Sequence, residues 1–126
     1  MHTVLVIDDD NDYRSGLREI LELELYQTLE AENGLVGWRM IQQHSPNLVI
    51  CDVDMPIMNG FEVLKTVKST SAFANIPFVI VSGQDEQTLT SAFKLGAEVV
   101  LQKPIDITVL LSAINPYLNN RPAVFK

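Results

Sequence analysis

The sequence predicts an α/β fold built on a doubly wound parallel sheet. Three observations point to it. Short apolar runs alternate with segments of helical periodicity along nearly the whole chain. The runs are apolar almost throughout, as strands buried on both faces are, rather than alternating apolar with polar. Three of them end in charge: Val4–Ile7 runs into Asp8-Asp9-Asp10, Leu48–Cys51 into Asp52, and Val99–Gln102 into Lys103-Pro104.

The elements come in order. Thr3–Ile7 reads as a buried strand. Asn11 is placed to cap a helix to about Leu25, with Leu17, Ile20, Leu21 and Leu25 on its core stripe. Gln27–Ala31 is a weaker strand. After the turn chemistry of Asn33-Gly34, Leu35–His44 reads as a helix carrying Val36, Met40 and Ile41 at helical spacing, and Ser45-Pro46-Asn47 stops it. Leu48–Cys51 is the third strand and Gly60 to about Thr70 the third helix. Pro77–Val81 is the fourth strand. About Asp85 to Leu95 is the fourth helix, with Gly96 as its stop. Glu98–Leu101 is the fifth strand, and a helix then runs from about Asp106 to Ile114. Asn115-Pro116 is expected to end that helix, because proline disfavours helical geometry in the residue before it. Its expected core stripe is Ile105, Val109, Leu110, Ala113 and Ile114, which leaves Ile107 and Leu111 together on an exposed flank.

Five strands alternating with five helices fit the flavodoxin-like (βα)5 arrangement, with sheet order 2-1-3-4-5. That order sets the first and third strands side by side, so Asp8, Asp9 and Asp52 would converge at the switch point. Residues 1–117 are expected to form one domain. Residues 118–126, with Asn119-Asn120-Arg121-Pro122, read as a tail or the start of a linker.

Composition excludes several functions. The 126 residues include 9 basic and 16 acidic side chains, a net charge of −7. A nucleic-acid surface needs a basic patch, so direct nucleic-acid binding is not expected. The single cysteine, Cys51, allows no intrachain disulfide and no zinc-ligand spacing. Lying inside an apolar run, it reads as inert core. The N-terminus carries no signal-peptide pattern, and no apolar run approaches the roughly 20 residues of a membrane span. The expected location is the cytoplasm.

Clustered carboxylates either raise a pKa or bind a cation. Mg²⁺ suits Asp8, Asp9 and Asp52: it is a hard ion that takes one or two carboxylates, waters and phosphoryl oxygens. A carboxylate beside such a metal can act as a nucleophile and form an acyl phosphate. Lys103 supplies a point charge for phosphoryl oxygens. Ser82, ending the run Phe78–Val81, offers a hydroxyl at the same edge.

Asp8-Asp9, Asp52, Ser82 and Lys103-Pro104, in this order on these strand ends, resemble the receiver domain of two-component response regulators. The stretch Asp52-Val53-Asp54-Met55-Pro56, with Asn59-Gly60 after it, is similar to the loop after that family's phosphoacceptor. The resemblance covers Thr3 to about Ile114. It implies that Asp52 is the phosphoacceptor. Asp9, Asp52 and the Asp54 backbone carbonyl would ligate Mg²⁺, with Asp8 acting directly or through a water. Lys103 would pair with the phosphoryl group, Ser82 would turn to bond it, and the Lys103–Pro104 peptide would be cis. The donor would be a histidine kinase or a histidine phosphotransfer protein. The domain would be no turnover enzyme: self-catalysed phosphoryl transfer and autodephosphorylation would be its only chemistry. The face formed by the fourth helix, fifth strand and fifth helix would be the place for a homodimer.

Departures from the family pattern bear on the details. Val100 stands where an aromatic switch residue is common, and Asp54 and Gln84 occupy variable positions near the path of the hydrolytic water. Two other readings share part of the pattern. Haloacid-dehalogenase-like Mg²⁺-dependent phosphatases also carry an Asp-x-Asp after a strand, which Asp52-Val53-Asp54 fits in part, but they leave Asp8-Asp9 unexplained. A degenerate receiver would serve only as a protein-binding module. Plainer roles suit the other residues: Asp10 and Asn11 as caps, Gly60 as a turn residue of unusual backbone angle, His2 and His44 as surface residues. Met40, Met55 and Met58 suit packing.

Overall fold

In the computed structural model residues 2–83 and 86–118 are described. The expectations for Gln84, Asp85 and the segment 119–126 fall outside these residues. The strands are β1 (Thr3–Ile7), β2 (Gln27–Ala31), β3 (Leu48–Asp52), β4 (Phe78–Ser82) and β5 (Val99–Gln102). The helices are α1 (Asn11–Leu23), α2 (Gly34–His44), α3 (Gly60–Ser69), α4 (Glu86–Lys94) and α5 (Ile107–Leu118). All strand pairs are parallel and the sheet order is β2-β1-β3-β4-β5, as the sequence predicts.

The apolar runs are strands because each lies between two layers of helices. Successive residues of a strand point to opposite faces, and the core divides accordingly. Leu5, Ile7, Val49, Cys51, Phe78 and Ile80 pack with Ile41 of α2, Val63, Leu64 and Val67 of α3, and Ala92 of α4. Val4, Val6, Leu48, Ile50, Val79 and Val81 pack with Leu17 and Leu21 of α1 and Leu110, Ile114 and Leu118 of α5. The central strands β3 and β4 are buried along their whole length. Met40, Met55 and Met58 pack against the first cluster, as expected.

Three helix ends differ from expectation. Of the two expected caps, Asp10 and not Asn11 caps α1: its carboxylate accepts from the amides of Asp12 and Tyr13. At the other end α1 stops at Leu23, and Leu25 is 76% exposed rather than in the core. The Leu25 amide donates to the Glu22 carbonyl at 3.0 Å and the Tyr26 amide to the Leu21 carbonyl at 3.0 Å. This Schellman closure puts Leu25 in the left-handed region, at φ 68°. Tyr26, the next residue, is buried instead and joins the α1/α5 cluster. The end of α4 closes by the same pair of bonds, with Gly96 at φ 105° in the left-handed position, as expected.

Pro116 does not end α5, which runs through it to Leu118. Two contacts hold the extra turn. Leu118 is buried one turn beyond Ile114, and the Asn115 side chain accepts a 2.6 Å hydrogen bond from the Tyr26 hydroxyl. A proline in the last turn costs a single backbone bond, which tertiary anchoring of this kind outweighs. The inward stripe is therefore Leu110, Ile114 and Leu118, with Ile107 and Leu111 packed partly buried against the same cluster. Val109, expected in the core, is 51% exposed. Ile107 and Leu111 thus do not make the exposed apolar pair expected on the α4–β5–α5 face. Val100 is partly buried and packs against the α2/α3/α4 cluster.

Candidate functional site

The site is built by register. Ile7 of β1 stands opposite Cys51 of β3, so the next residues, Asp8 just past β1 and Asp52 at the end of β3, come side by side at the sheet edge. Both take the strand positions that continue the face toward α1 and α5. Ser82 closes β4 and is fully buried. Beyond β5, the Lys103 amide donates to the Ser82 carbonyl at 2.9 Å, carrying the ladder one step further and bringing Lys103 to the same edge. The Lys103–Pro104 peptide is cis.

Local bonds fix the acidic loop. The Asp8 amide donates to the Ala31 carbonyl, and one Asp8 carboxylate oxygen accepts from the Asp10 amide at 2.9 Å. Arg14 of α1 donates to the Asp8 carbonyl at 2.6 Å, and its Nε meets Glu30 of β2 at 2.9 Å. Burial works against the Glu30 charge, but the hydrogen bonds from Arg18 and Arg14 prevail and hold its carboxyl below the usual range. Arg14 thereby ties α1, the loop and β2 together.

The loop after β3 is held as tightly. The Val53 amide donates to Asp52 Oδ1 at 2.9 Å. Asn59 and Glu62 form a capping box on α3. Gly60 donates its amide to the Val53 carbonyl at 2.9 Å. Its φ is not positive, contrary to the turn expectation. A Cβ at residue 60 would instead collide with the Asp52 carbonyl and lie 2.9 Å from Val53 Cα. Glycine is required here by close approach of α3 to the strand end. Ile57 at φ 72° is an exposed β-branched residue in the left-handed region, flanked by the Met58 amide bond to the Pro56 carbonyl. That is a γ-turn of the rare, strained kind.

Carboxylate oxygens of Asp8, Asp9 and Asp52 lie within 4.8 Å of one another. Asp8 and Asp52 are buried and Asp9 is exposed, so the cluster has a closed floor and an open mouth. Lys103 Nζ stands 3.4 Å from Asp8 Oδ2 and 3.5 Å from Asp52 Oδ2. Burial disfavours the lysine charge, but Asp52 and Asp8 outweigh it and hold the ammonium above its usual pKa. For Asp52, burial and then the charge of Asp8 push the carboxyl up to about 6, with Lys103 opposing. Such a group binds a cation readily, because a cation relieves both causes. The donor set is all oxygen, which fits a hard divalent ion such as Mg²⁺. The Asp54 side chain is exposed and lies outside this three-carboxylate group. Cys51 is buried and its thiol is pushed well up, mainly by burial, so it is inert.

One residue of the site escaped the sequence reading. Tyr13, in the first turn of α1, puts its ring 4.5 Å from Lys103 Nζ. The legible signal was an aromatic residue three positions after the capping Asp10. Beside it a cleft of about 260 Å³ opens between α1 and the entry to α5, lined by Asp12, Tyr13, Gly16, Leu17, Ile20, Ile105 and Ile107.

The family model for the response regulator receiver domain matches residues 4–115. The chain belongs to this family. It is 37% identical over 115 residues to the chemotaxis protein CheY of Halobacterium salinarum, covering 91% of this chain and 95% of that protein. It is 34% identical to the sporulation initiation phosphotransferase F of Bacillus subtilis, with 91% and 92% covered. The crystal structure of a response regulator receiver domain protein from Clostridium thermocellum superposes with a TM-score of 0.87 at 28% identity, over 95% of this chain and 96% of that one. Chemotaxis protein CheY4 of Vibrio cholerae does so with 0.85 at 27%, over 93% and 98%. The protein is a phospho-accepting receiver domain of two-component signalling, a non-enzymatic class. Receiver domains in general act with histidine kinases or phosphotransfer proteins. Among the described residues no helix is long and apolar enough to cross a membrane.

The raised Asp52 pKa has a sign that can be tested. The folded state holds the proton more tightly than the unfolded chain. The resulting stability is full below the ordinary value of 3.8 and is lost as pH rises through about 6. At neutral pH, ionised Asp52 is therefore a net cost in the metal-free protein. Asp52→Asn is expected to be more stable than wild type at pH 7.5 without divalent ions, by about 1–2 kcal/mol after solvent screening. The difference should shrink toward pH 4. Urea unfolding at several pH values measures it, and a difference independent of pH contradicts the assignment.

Proposed function

We propose that Asp52 is the phosphoacceptor of a receiver whose donor is a histidine kinase or histidine phosphotransfer protein. The observation that carries this is the meeting of Asp8, Asp9 and Asp52 with the Lys103 ammonium at one sheet edge. Asp52 Oδ1 is occupied by the Val53 amide, so Oδ2, which faces Lys103, is the attacking oxygen. The new O–P bond forms as the P–N bond of the phosphohistidine breaks, and the leaving imidazole nitrogen keeps the electron pair. Lys103 meets the charge on the phosphoryl oxygens, and its raised pKa keeps it protonated for that role. The Ser82 hydroxyl, at the end of β4, turns to bond the phosphoryl group.

Mg²⁺ would be held by Asp9, Asp52 and the Asp54 carbonyl, with Asp8 direct or through water; when bound it neutralises the acid cluster and orients phosphoryl oxygens. No other chemistry is required of the domain than this transfer and its own dephosphorylation.

Acetyl phosphate with Mg²⁺ is expected to add one phosphoryl group, seen by intact mass, to wild type and none to Asp52→Asn. Equal labelling of both, or labelling in excess chelator, contradicts the reading.

A protein donor must bring its phosphohistidine to the mouth beside Asp9. The apolar cleft between α1 and α5 is lined by Tyr13, whose ring meets Lys103 of the site, and supports docking there. Gly16 lines the cleft, and a Cβ on it would meet nothing within 4 Å, so a larger side chain fits the fold while filling the cleft. Gly16→Glu is expected to keep or raise stability, since glycine is a poor helix residue. Its labelling by acetyl phosphate should be unchanged, while transfer from a cognate phosphohistidine protein falls about tenfold or more. Undiminished transfer from the protein donor places docking elsewhere.

A further inference from the structure

Lys103 is held unusually for a residue with so much to do. Its two carboxylate contacts, 3.4 Å and 3.5 Å, are long, and neither is a short ionic hydrogen bond. The third contact is the face of Tyr13, 4.5 Å from the ring centroid, well inside cation–π range. The tyrosine hydroxyl does not explain why tyrosine is there. It is buried, and the polar group it meets is the Ile105 backbone, in a contact short of good hydrogen-bond geometry. Burial, with Asp8 and Asp52 adding to it against the opposing effect of Lys103, pushes the phenol up, so the ring is neutral.

We propose that Tyr13 is a positioning residue that seats the Lys103 ammonium on its ring and thereby aims that charge at the phosphoryl group arriving on Asp52. The proposal rests on the reading of Asp52 as acceptor. The physical reason is the difference between the three contacts. A carboxylate takes up N–H donors and changes its charge when Asp52 is phosphorylated. A ring face takes up no donor in a directed bond and is the same before and after transfer. The ammonium can then turn its protons from Asp8 and Asp52 to the phosphoryl oxygens without leaving its seat. Without the ring, the contacts left to the flexible four-carbon stem among the described residues are the two long ones to Asp8 and Asp52, and more of its freedom is lost in the transition state.

The test is the rate of acyl-phosphate formation with acetyl phosphate and Mg²⁺ in Tyr13→Phe, Tyr13→Leu and Tyr13→Met. Each is made with Lys103 intact and with Lys103→Met, and folding is checked by circular dichroism. Tyr13→Phe keeps the ring and should stay within roughly twofold of wild type, while the two ring-free variants fall about three- to tenfold. The loss should appear in the saturating rate, with half-saturation by acetyl phosphate and calorimetric Mg²⁺ affinity unchanged. With Lys103→Met, removing the ring should make no further difference. An equal loss in both lysine backgrounds would mean that Tyr13 only packs, and overturns the proposal. So does a Phe variant as slow as Leu, or ring-free variants as fast as wild type. Asp52→Asn is the control: if it is labelled, the acceptor reading falls and takes this one with it. If it is unlabelled and the ring-free variants are fast, only the role of Tyr13 falls.

Discussion

Crowding of negative charge at the end of two neighbouring strands is the constraint that organises this molecule. Carboxylate oxygens of Asp8, Asp9 and Asp52 come within 4.8 Å of one another, and the Lys103 ammonium stands 3.4 Å from Asp8 and 3.5 Å from Asp52. Burial and the Asp8 charge together push Asp52 up to about 6. A group in that condition is a poor structural element and a good reactive one. The rest of the fold bears the strain. Core residues of β1, β3 and β4 pack on both faces of the sheet, and their register leaves Asp8 and Asp52 no freedom to separate.

Beside the Asp10 and Val53 amides, which bond the Asp8 and Asp52 carboxylates directly, the supports around the cluster fix backbone. Arg14 binds the Asp8 carbonyl and Glu30. Gly60 lets α3 press against the Asp52 carbonyl. The Asn59–Glu62 capping box closes the loop that carries Asp54. The strained γ-turn at Ile57 lies in the same loop. Strain of this sort persists where the surroundings over-determine it, which is the case between a strand end and a capped helix. The result is an acidic pocket with a closed floor and an open mouth at Asp9, suited to a cation and to a phosphoryl group from outside.

Much of this is legible in the sequence because parallel strands buried on both sides write themselves as unbroken apolar runs. The residue that ends each run then stands at the sheet edge, and Asp8, Asp52, Ser82 and Lys103 are readable on that ground. The misses have physical causes as well. Leu25 takes a left-handed position that usually signals glycine, so the sequence reads α1 two residues too long. Leu118 lies beyond a proline. Without that anchor the α5 stripe fits a fraction of a turn out of phase, which puts Val109 inside and Ile107 and Leu111 outside. Gly60 looks like a turn residue because close approach between two elements leaves no trace in one sequence. Tyr13 escapes because a cation–π contact depends on the meeting of α1 with the end of β5, ninety residues apart in the chain.

If crowded acids are the central feature, a cation that binds only the native state must stabilise it by mass action, and removing one acid must act in the opposite sense on the metal-free and metal-loaded forms. The direct measurement is the thermal midpoint of wild type and Asp9→Ala, each in chelator and in millimolar Mg²⁺. Asp9→Ala should match or exceed wild type in chelator, since one repelling charge is gone, and should lose most of the rise that Mg²⁺ gives wild type. An Asp9→Ala protein less stable than wild type in chelator, yet gaining the full rise from Mg²⁺, would contradict the account.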